Sequence, residues 1–389
     1  MTKHTNRIES TLLRRINERR LLEVIQQQGP SSRAMLARTS GLTAPTVSKA
    51  VDVLLARGLL EELDPVDQPL GRPGRLVRMA AESAAVLGVV FDSSTCCVVA
   101  AGLDGMVTEQ QTRRVATPET YADVIDLVEQ ECRGLLAAVS GTVHGIGISV
   151  PGLVNERLRE IVFSPNLHLL DRQNPARDLE DRLGVPCVLV QESDALCLSE
   201  RMYGGARGLD HFAVLDATTG LGLAAMSGGE LLTGHSGMAG EVGHITVAPD
   251  GLRCGCGNRG CLETLATDRA LVRLLADRLG RPLDMPAAAA LLEERAADFQ
   301  HEIQTGAEHL AIAIASVINI FNPTALFVHG TLLAGNKERF ARVLERVEQR
   351  ALKASLSDCT IVAARSSKRQ GAIAGIIHHL TNTWAPSIR

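Results

Sequence analysis

Hydrophobic positions near the N-terminus recur at helical spacing. Leu21, Leu22, Val24 and Ile25 follow Arg19 and Arg20 and predict a first amphipathic helix. Gly29-Pro30-Ser31-Ser32 breaks and restarts the chain, with Ser31 or Ser32 as N-cap of a short helix through Met35, Leu36 and Ala37. Thr39-Ser40-Gly41-Leu42 reads as a tight turn. Thr43 then caps a third helix whose buried stripe is Val47, Val51, Leu54 and Leu55. After Gly58 the spacing changes. Residues 59–63 predict a strand, 64–68 a turn and 75–79 the return strand, which together make a wing.

Past Val86 the chain alternates apolar runs with longer helical stretches. Residues 87–91 and 96–101 predict strands around a turn at 92–95, followed by a helix over 121–140 and buried strands at 145–150 and 187–190. A second set follows, with strands at 212–215 and 222–226, an alanine-rich helix over about 305–320 and a strand at 325–328. Hairpins leading into crossover helices, repeated twice, predict an α/β protein of two lobes with its ligand between them, at the carboxyl ends of strands. The expected division is a winged helix-turn-helix with linker over 1–80, a first lobe over 81–200 and a second over 201–369. A C-terminal helix at 370–389 is expected to return to the first lobe.

Composition narrows the class. The chain has 389 residues, 45% hydrophobic and 22% charged, which excludes wholesale disorder. Residues 1–80 hold 13 Lys+Arg against 8 Asp+Glu, a net of +5, leaving −9 for the remainder of a chain at −4. A basic head on an acidic body points to nucleic acid for the head alone. No apolar run is expected to reach the roughly 18–20 residues of a membrane span. The first 23 residues are charged, so no secretory signal and a cytoplasmic location are expected. Nine cysteines fit thiols or metal ligands in a reducing compartment better than a disulfide framework.

Two groups of residues carry candidate chemistry. In the head, a glycine turn between short helices matches a helix-turn-helix whose second helix enters the major groove. Pro45, Thr46, Ser48 and Lys49 lie at its outward start, and Arg33, Arg72 and Arg75 are placed to meet phosphates or the minor groove. In the body, His244, Cys254, Cys256 and Cys261 fall within eighteen residues. Three thiolates and an imidazole are the tetrahedral soft set that zinc prefers, and they leave no position for a reactive water, so a structural Zn2+ is expected. Asn166, Glu192, Asp194, Glu241, His244 and Glu263 supply the carboxylates, amide and imidazole that a polyhydroxylated ligand needs, although Asp194 taken singly reads as a surface acid.

The sequence resembles the ROK family of repressors and sugar kinases, and most of all its transcription-factor branch of glucose, N-acetylglucosamine and xylose repressors. The resemblance rests on Thr46-Val47-Ser48, Gly58-Leu59-Leu60, Gly71-Arg72-Pro73, Pro151-Gly152, Asn166-Leu167, the run from Ala239 to His244, the cysteine loop and Phe321-Asn322-Pro323. It implies a two-lobed actin-like, ribonuclease-H-like body behind the head. The family's kinases have an acid and a glycine pair in the first hairpin; here Val90 and Asp92-Ser93-Ser94-Thr95 stand there. Their Asn-Asp, whose Asp is the general base, aligns with Gln191-Glu192. Their second phosphate loop aligns with Thr218-Thr219-Gly220-Leu221-Gly222, and their late Gly-Gly with Gly330-Thr331. The resemblance therefore implies a sugar-responsive repressor that is not an enzyme. Its partners would be double-stranded operator DNA and a monosaccharide or sugar phosphate held by Asn166, Glu192, Glu241, His244 and Glu263. A homodimer or homotetramer is expected, and a protein partner is left open. The alternative is an ATP-dependent sugar kinase carrying a DNA-binding head.

Overall fold

The computed structural model describes residues 2–63, 75–155 and 158–382. The chain divides into two compact units, unit 1 (1–149, 175–189 and 372–389) and unit 2 (150–174 and 190–371).

Unit 1 begins with helix α1 (Thr2–Gln28), strand β1 (Ser31–Ser32), helices α2 (Arg33–Ser40) and α3 (Ala44–Ala56), and strands β2 (Leu60–Glu62) and β3 (Leu76–Met79). Ser32 is the N-cap of α2, its side chain accepting from the Met35 N–H at 3.2 Å. Gly41 ends α2 at φ +68°, a left-handed conformation open to glycine at little cost. Thr43 precedes α3 as expected, but its hydroxyl hydrogen-bonds the Thr46 hydroxyl at 2.8 Å and makes no backbone cap. Leu21, Leu22, Ile25, Leu36, Val47, Val51 and Leu54 are buried together, and Leu55 is half-buried. Each fully buried leucine or isoleucine of this kind contributes roughly 1.5–3 kcal/mol. The wing has three strands in the order β1-β3-β2, because Ser31 and Ser32 pair with Val77 and Leu76. The turn expected at 64–68 and Arg72 lie outside the described residues.

The head is joined to the rest of unit 1 through Glu61 on β2. Its carboxylate accepts from Arg78 Nε at 2.7 Å, from the backbone N–H groups of Glu82 and Ser83 at 3.2 Å each, and from Ser83 Oγ at 3.0 Å. Burial acts to raise its pKa, but the backbone donors and Arg78 outweigh it and hold the carboxyl at about 2. Beyond this junction a five-stranded sheet runs in the order Cys187–Gln191, Thr142–Val150, Ala84–Val90, Thr95–Ala101 and Thr112–Ala116. The central strand is wholly buried, so it reads as a continuous apolar run. Ala372, in the helix Lys368–Asn382, packs with Val90 and Cys97.

Unit 2 holds a second five-stranded sheet in the order Glu230–Leu231, Gly222–Ser227, Phe212–Asp216, Ala325–His329 and Thr360–Ala363. Its core includes Leu310, Ile314, Val317 and Ile318 from the helix Gln300–Phe321. The helical run Met285–Phe321, 37 residues with a window of mean hydropathy 1.2, does reach the length and apolarity of a span, contrary to expectation. That window is 56% buried inside the protein, where the helix packs the unit's core. Where the sequence suggested a break at 200/201, the compact units assign 150–174 and 190–200 to unit 2. The helix Glu192–Met202 packs on the strands Phe212–Asp216 and Gly222–Ser227, and these contacts decide its membership.

Candidate functional site

The sharpest constellation is the cysteine loop. The ligand atoms of His244, Cys254, Cys256 and Cys261 all lie within 4.8 Å of one another. Cys256 Sγ is 3.7 Å from Cys261 Sγ, and Cys254 Sγ is 3.6 Å from His244 Nδ1. Thiolates at about 2.3 Å from a tetrahedral ion sit about 3.7–3.8 Å apart, so these separations match the edges of such a site. The loop reaches this shape through its backbone. Cys254 N–H donates to Asn258 C=O at 2.8 Å, and Gly260 N–H to Leu252 C=O at 2.8 Å. A Cβ at Gly260 would lie 1.5 Å from the Ala248 carbonyl oxygen at φ +66°, so only glycine fits there. Burial raises the Cys254 and Cys261 thiols above the ordinary range, and a cation bound among them would favour their thiolate forms.

His244 connects this cluster to the polar residues around it. Its Nδ1 faces Cys254 and its Nε2 lies 3.5 Å from Glu241 Oε2, the arrangement in which a carboxylate orients a metal-bound imidazole. Glu241 accepts from Gln191 Nε2 at 2.9 Å, and its pKa is raised, chiefly by burial. Glu263 opens the short helix just past Cys261. Its Oε2 accepts from Leu221 N–H at 3.1 Å and Asn166 Nδ2 at 3.5 Å. Arg269 Nη1 in turn donates to Asn166 Oδ1 at 3.0 Å. Asn166, Glu263 and Arg269 line a cavity of about 550 Å³, large enough for a small polar ligand.

Glu192 has different company. It is paired with Lys368 Nζ at 2.9 Å, and the same ammonium lies 3.3 Å from Asp216. Asp216 also accepts from His329 Nδ1 at 2.9 Å and from the Thr218 hydroxyl at 2.9 Å. Burial opposes ionisation of Asp216, but Lys368 and His329 overcome it and hold its carboxyl well below the usual range. The loop at Gly330-Thr331 is closed in a similar way. The backbone N–H groups of Thr331, Leu332 and Leu333 converge on the Asp268 carboxylate, whose pKa burial pushes up to about 6.

In the head, Pro45 and Lys49 are exposed at the start of α3, with Thr46 and Ser48 half-buried beside them. Arg33 is drawn inward. Its Nη1 donates to Ser48 C=O at 3.1 Å, Ser48 Oγ at 3.0 Å and Asp52 at 2.7 Å, tying α2 to α3. Arg75 is exposed and pairs with Glu62 at 2.6 Å. Sequence reasoning had not singled out Arg269, Asp216, His329 or Lys368, and had named Gln191 only by alignment. Each gains its place through a contact with a residue far along the chain, for which the local pattern has no signal.

The fold and the site define a class. The ROK family matches residues 92–380, and the MarR family matches 13–68. The chain belongs to the ROK family, carrying a winged helix-turn-helix ahead of the actin-like kinase-fold body. It is 27% identical over 328 residues to the xylose repressor of Bacillus subtilis (strain 168), covering 84% of each chain. It is 27% identical over 395 residues to the DNA-binding transcriptional dual regulator NagC of Escherichia coli (strain K12), covering 95% of this chain and 94% of NagC. A solved ROK family transcriptional regulator, a homologue of the E. coli MLC protein, superposes with a TM-score of 0.78 at 25% identity, covering 95% of this chain and 97% of that one.

Proposed function

We propose that this protein is a carbohydrate-responsive transcription repressor that acts in the cytoplasm. The observation that carries the reading is the pairing, in one chain, of a winged helix-turn-helix with a polar cavity whose lining includes Asn166 and Glu263. Two heads of a homodimer or larger oligomer would read a pseudo-palindromic operator, α3 entering the major groove through Pro45, Thr46, Ser48 and Lys49. Arg75 would meet phosphates or the minor groove, and the same role is proposed for Arg72, which lies outside the described residues. Arg33 instead acts as an internal tie, since its guanidinium is committed to Ser48 and Asp52.

The carbohydrate's hydroxyls would be held by Asn166, Glu241 and Glu263, with Gln191 orienting Glu241. His244 serves the metal through Nδ1, and its Nε2 faces Glu241. Glu192 is left out of the ligand set because its carboxylate is paired with Lys368. The four donors fit a structural zinc, which would fix the loop that presents His244 and Glu263. Sugar must bind one conformation more tightly than another to change operator affinity, because equal affinity shifts nothing.

The closed Lys368–Glu192–Asp216 cluster supports a binding protein over an ATP-dependent sugar kinase: a carboxylate held by an internal ammonium is poorly placed to take a hydroxyl proton. Two measurements test the reading. Operator selection from random duplexes, followed by titration with sugars, should give a duplex whose affinity changes with one sugar. ADP release at ordinary kinase rates with ATP, magnesium and a hexose panel would overturn it.

A further inference from the structure

The cavity in unit 2 carries more positive charge than a neutral sugar needs. Arg253, Arg269 and Arg273 all line it, and the one carboxylate among its lining residues is Glu263. Among the described residues, none of the three arginines is in an ion pair with a carboxylate. Arg269 and Arg273 donate instead to neutral oxygens, the Asn166 side chain and the Thr264 carbonyl, at 3.0 Å each. Other arginines of unit 2 divide between two patterns: Arg346 and Arg350 share Glu308 and Arg339 pairs with Glu293, while Arg201 and Arg207 donate to the Gly229 and Met202 carbonyls.

Two physical costs mark this arrangement. Arg269 and Arg273 are four residues apart on the helix Asp268–Leu279, so like charges share one face, which destabilises a helix by a few tenths of a kcal/mol. Arg273 is half-buried, and burial, the leading cause, lowers its pKa. Asp277, one turn further along the helix, offsets part of that cost, and a half-buried guanidinium is stabilised further by an anion that enters. Arg253 adds a third, exposed guanidinium from the cysteine loop. A planar fork of N–H donors matches the two oxygens of a carboxylate or phosphate.

We propose that the effector is an anionic carbohydrate, its carboxylate or phosphate held by Arg269 and Arg273 with Arg253 closing over it, while Asn166 and Glu263 take hydroxyls. This rests on the carbohydrate-responsive reading above. The test uses the full-length protein with its metal, titrated calorimetrically with neutral hexoses, the matching hexose phosphates, hexuronates and inorganic phosphate. A phosphorylated or carboxylated sugar should bind at least about tenfold more tightly than its neutral parent, and preference for one series identifies the source of the charge. Arg273→Gln should reduce that preference to about twofold; Arg253→Gln, on an exposed loop position, is the parallel variant should the first fail to fold. Neutral sugars that bind as tightly as their anionic forms would overturn the proposal and leave the repressor reading standing. If no carbohydrate binds, charged or neutral, both fall, even where inorganic phosphate binds.

Discussion

Unit 2 contains two polar clusters built from similar residues, and they differ in whether the protein satisfies itself. Around Asp216 every charge has an internal answer: Lys368 lies between Glu192 and Asp216, His329 and Thr218 bond to Asp216, and Asp268 fills the nest of N–H groups at 331–333. Around Glu263 the acid, amide and arginines face a cavity of about 550 Å³ with part of their hydrogen-bonding capacity unspent. A polar site closed by its own side chains contributes to stability; one left open contributes to recognition. Glu61 in unit 1 is a third, closed case.

The largest effect should come from removing the metal proposed for the cysteine loop. Stripping it with a strong chelator, or Cys256→Ser, should lower the melting temperature of unit 2 by roughly 5 °C or more and abolish carbohydrate binding, read by scanning calorimetry and titration. Elemental analysis should return stoichiometric zinc, and metal-free protein that still binds sugar would break the link between loop and cavity.

Lys368→Met should destabilise the closed cluster by about 3–5 kcal/mol in denaturant, because it removes the ammonium shared by Glu192 and Asp216 and leaves Asp216 to His329. Adding Glu192→Gln should restore part of that loss. Asn166→Ala, by contrast, should cost ligand affinity about tenfold or more while barely moving the denaturation midpoint. If the two variants exchanged signatures, the comparison would fail.

Glu61→Gln should cost unit 1 about 1–3 kcal/mol at neutral pH. The Glu61 carboxyl is held at about 2, below its ordinary value of 4.5, so its contribution is present above about pH 4.5 and lost as pH falls through about 2. The variant's stability curve should therefore be flatter across that window. The smallest effect is expected from Lys49→Ala: about 1 kcal/mol of operator affinity and about one unit less salt dependence, with carbohydrate affinity unchanged. Equal losses for both ligands would make Lys49 a structural residue.

Much of the architecture was legible because its causes are local. The turn at Gly41, the stripe of Val47, Val51 and Leu54, and the paired hairpin strands of both sheets follow from spacing and turn chemistry over a few residues. The short strands Thr112–Ala116 and Thr360–Ala363 escaped notice, since Arg113 and Arg114 and the exposed ends of the second strand mask their alternation. Helix Gln300–Phe321 was underestimated at its N-terminal end, where polar residues precede the apolar run.

The sequence alone determined the candidate donor set of the metal loop and the exposed start of α3 at Pro45 and Lys49, because each depends on residues close together in the chain. Only the tertiary structure decided which carboxylates are free to meet a ligand. Glu192 and Lys368 are 176 positions apart, and Arg269 and Asn166 are 103 apart. Charge pairing over such separations is set by how helices and strands pack, and no local spacing encodes it.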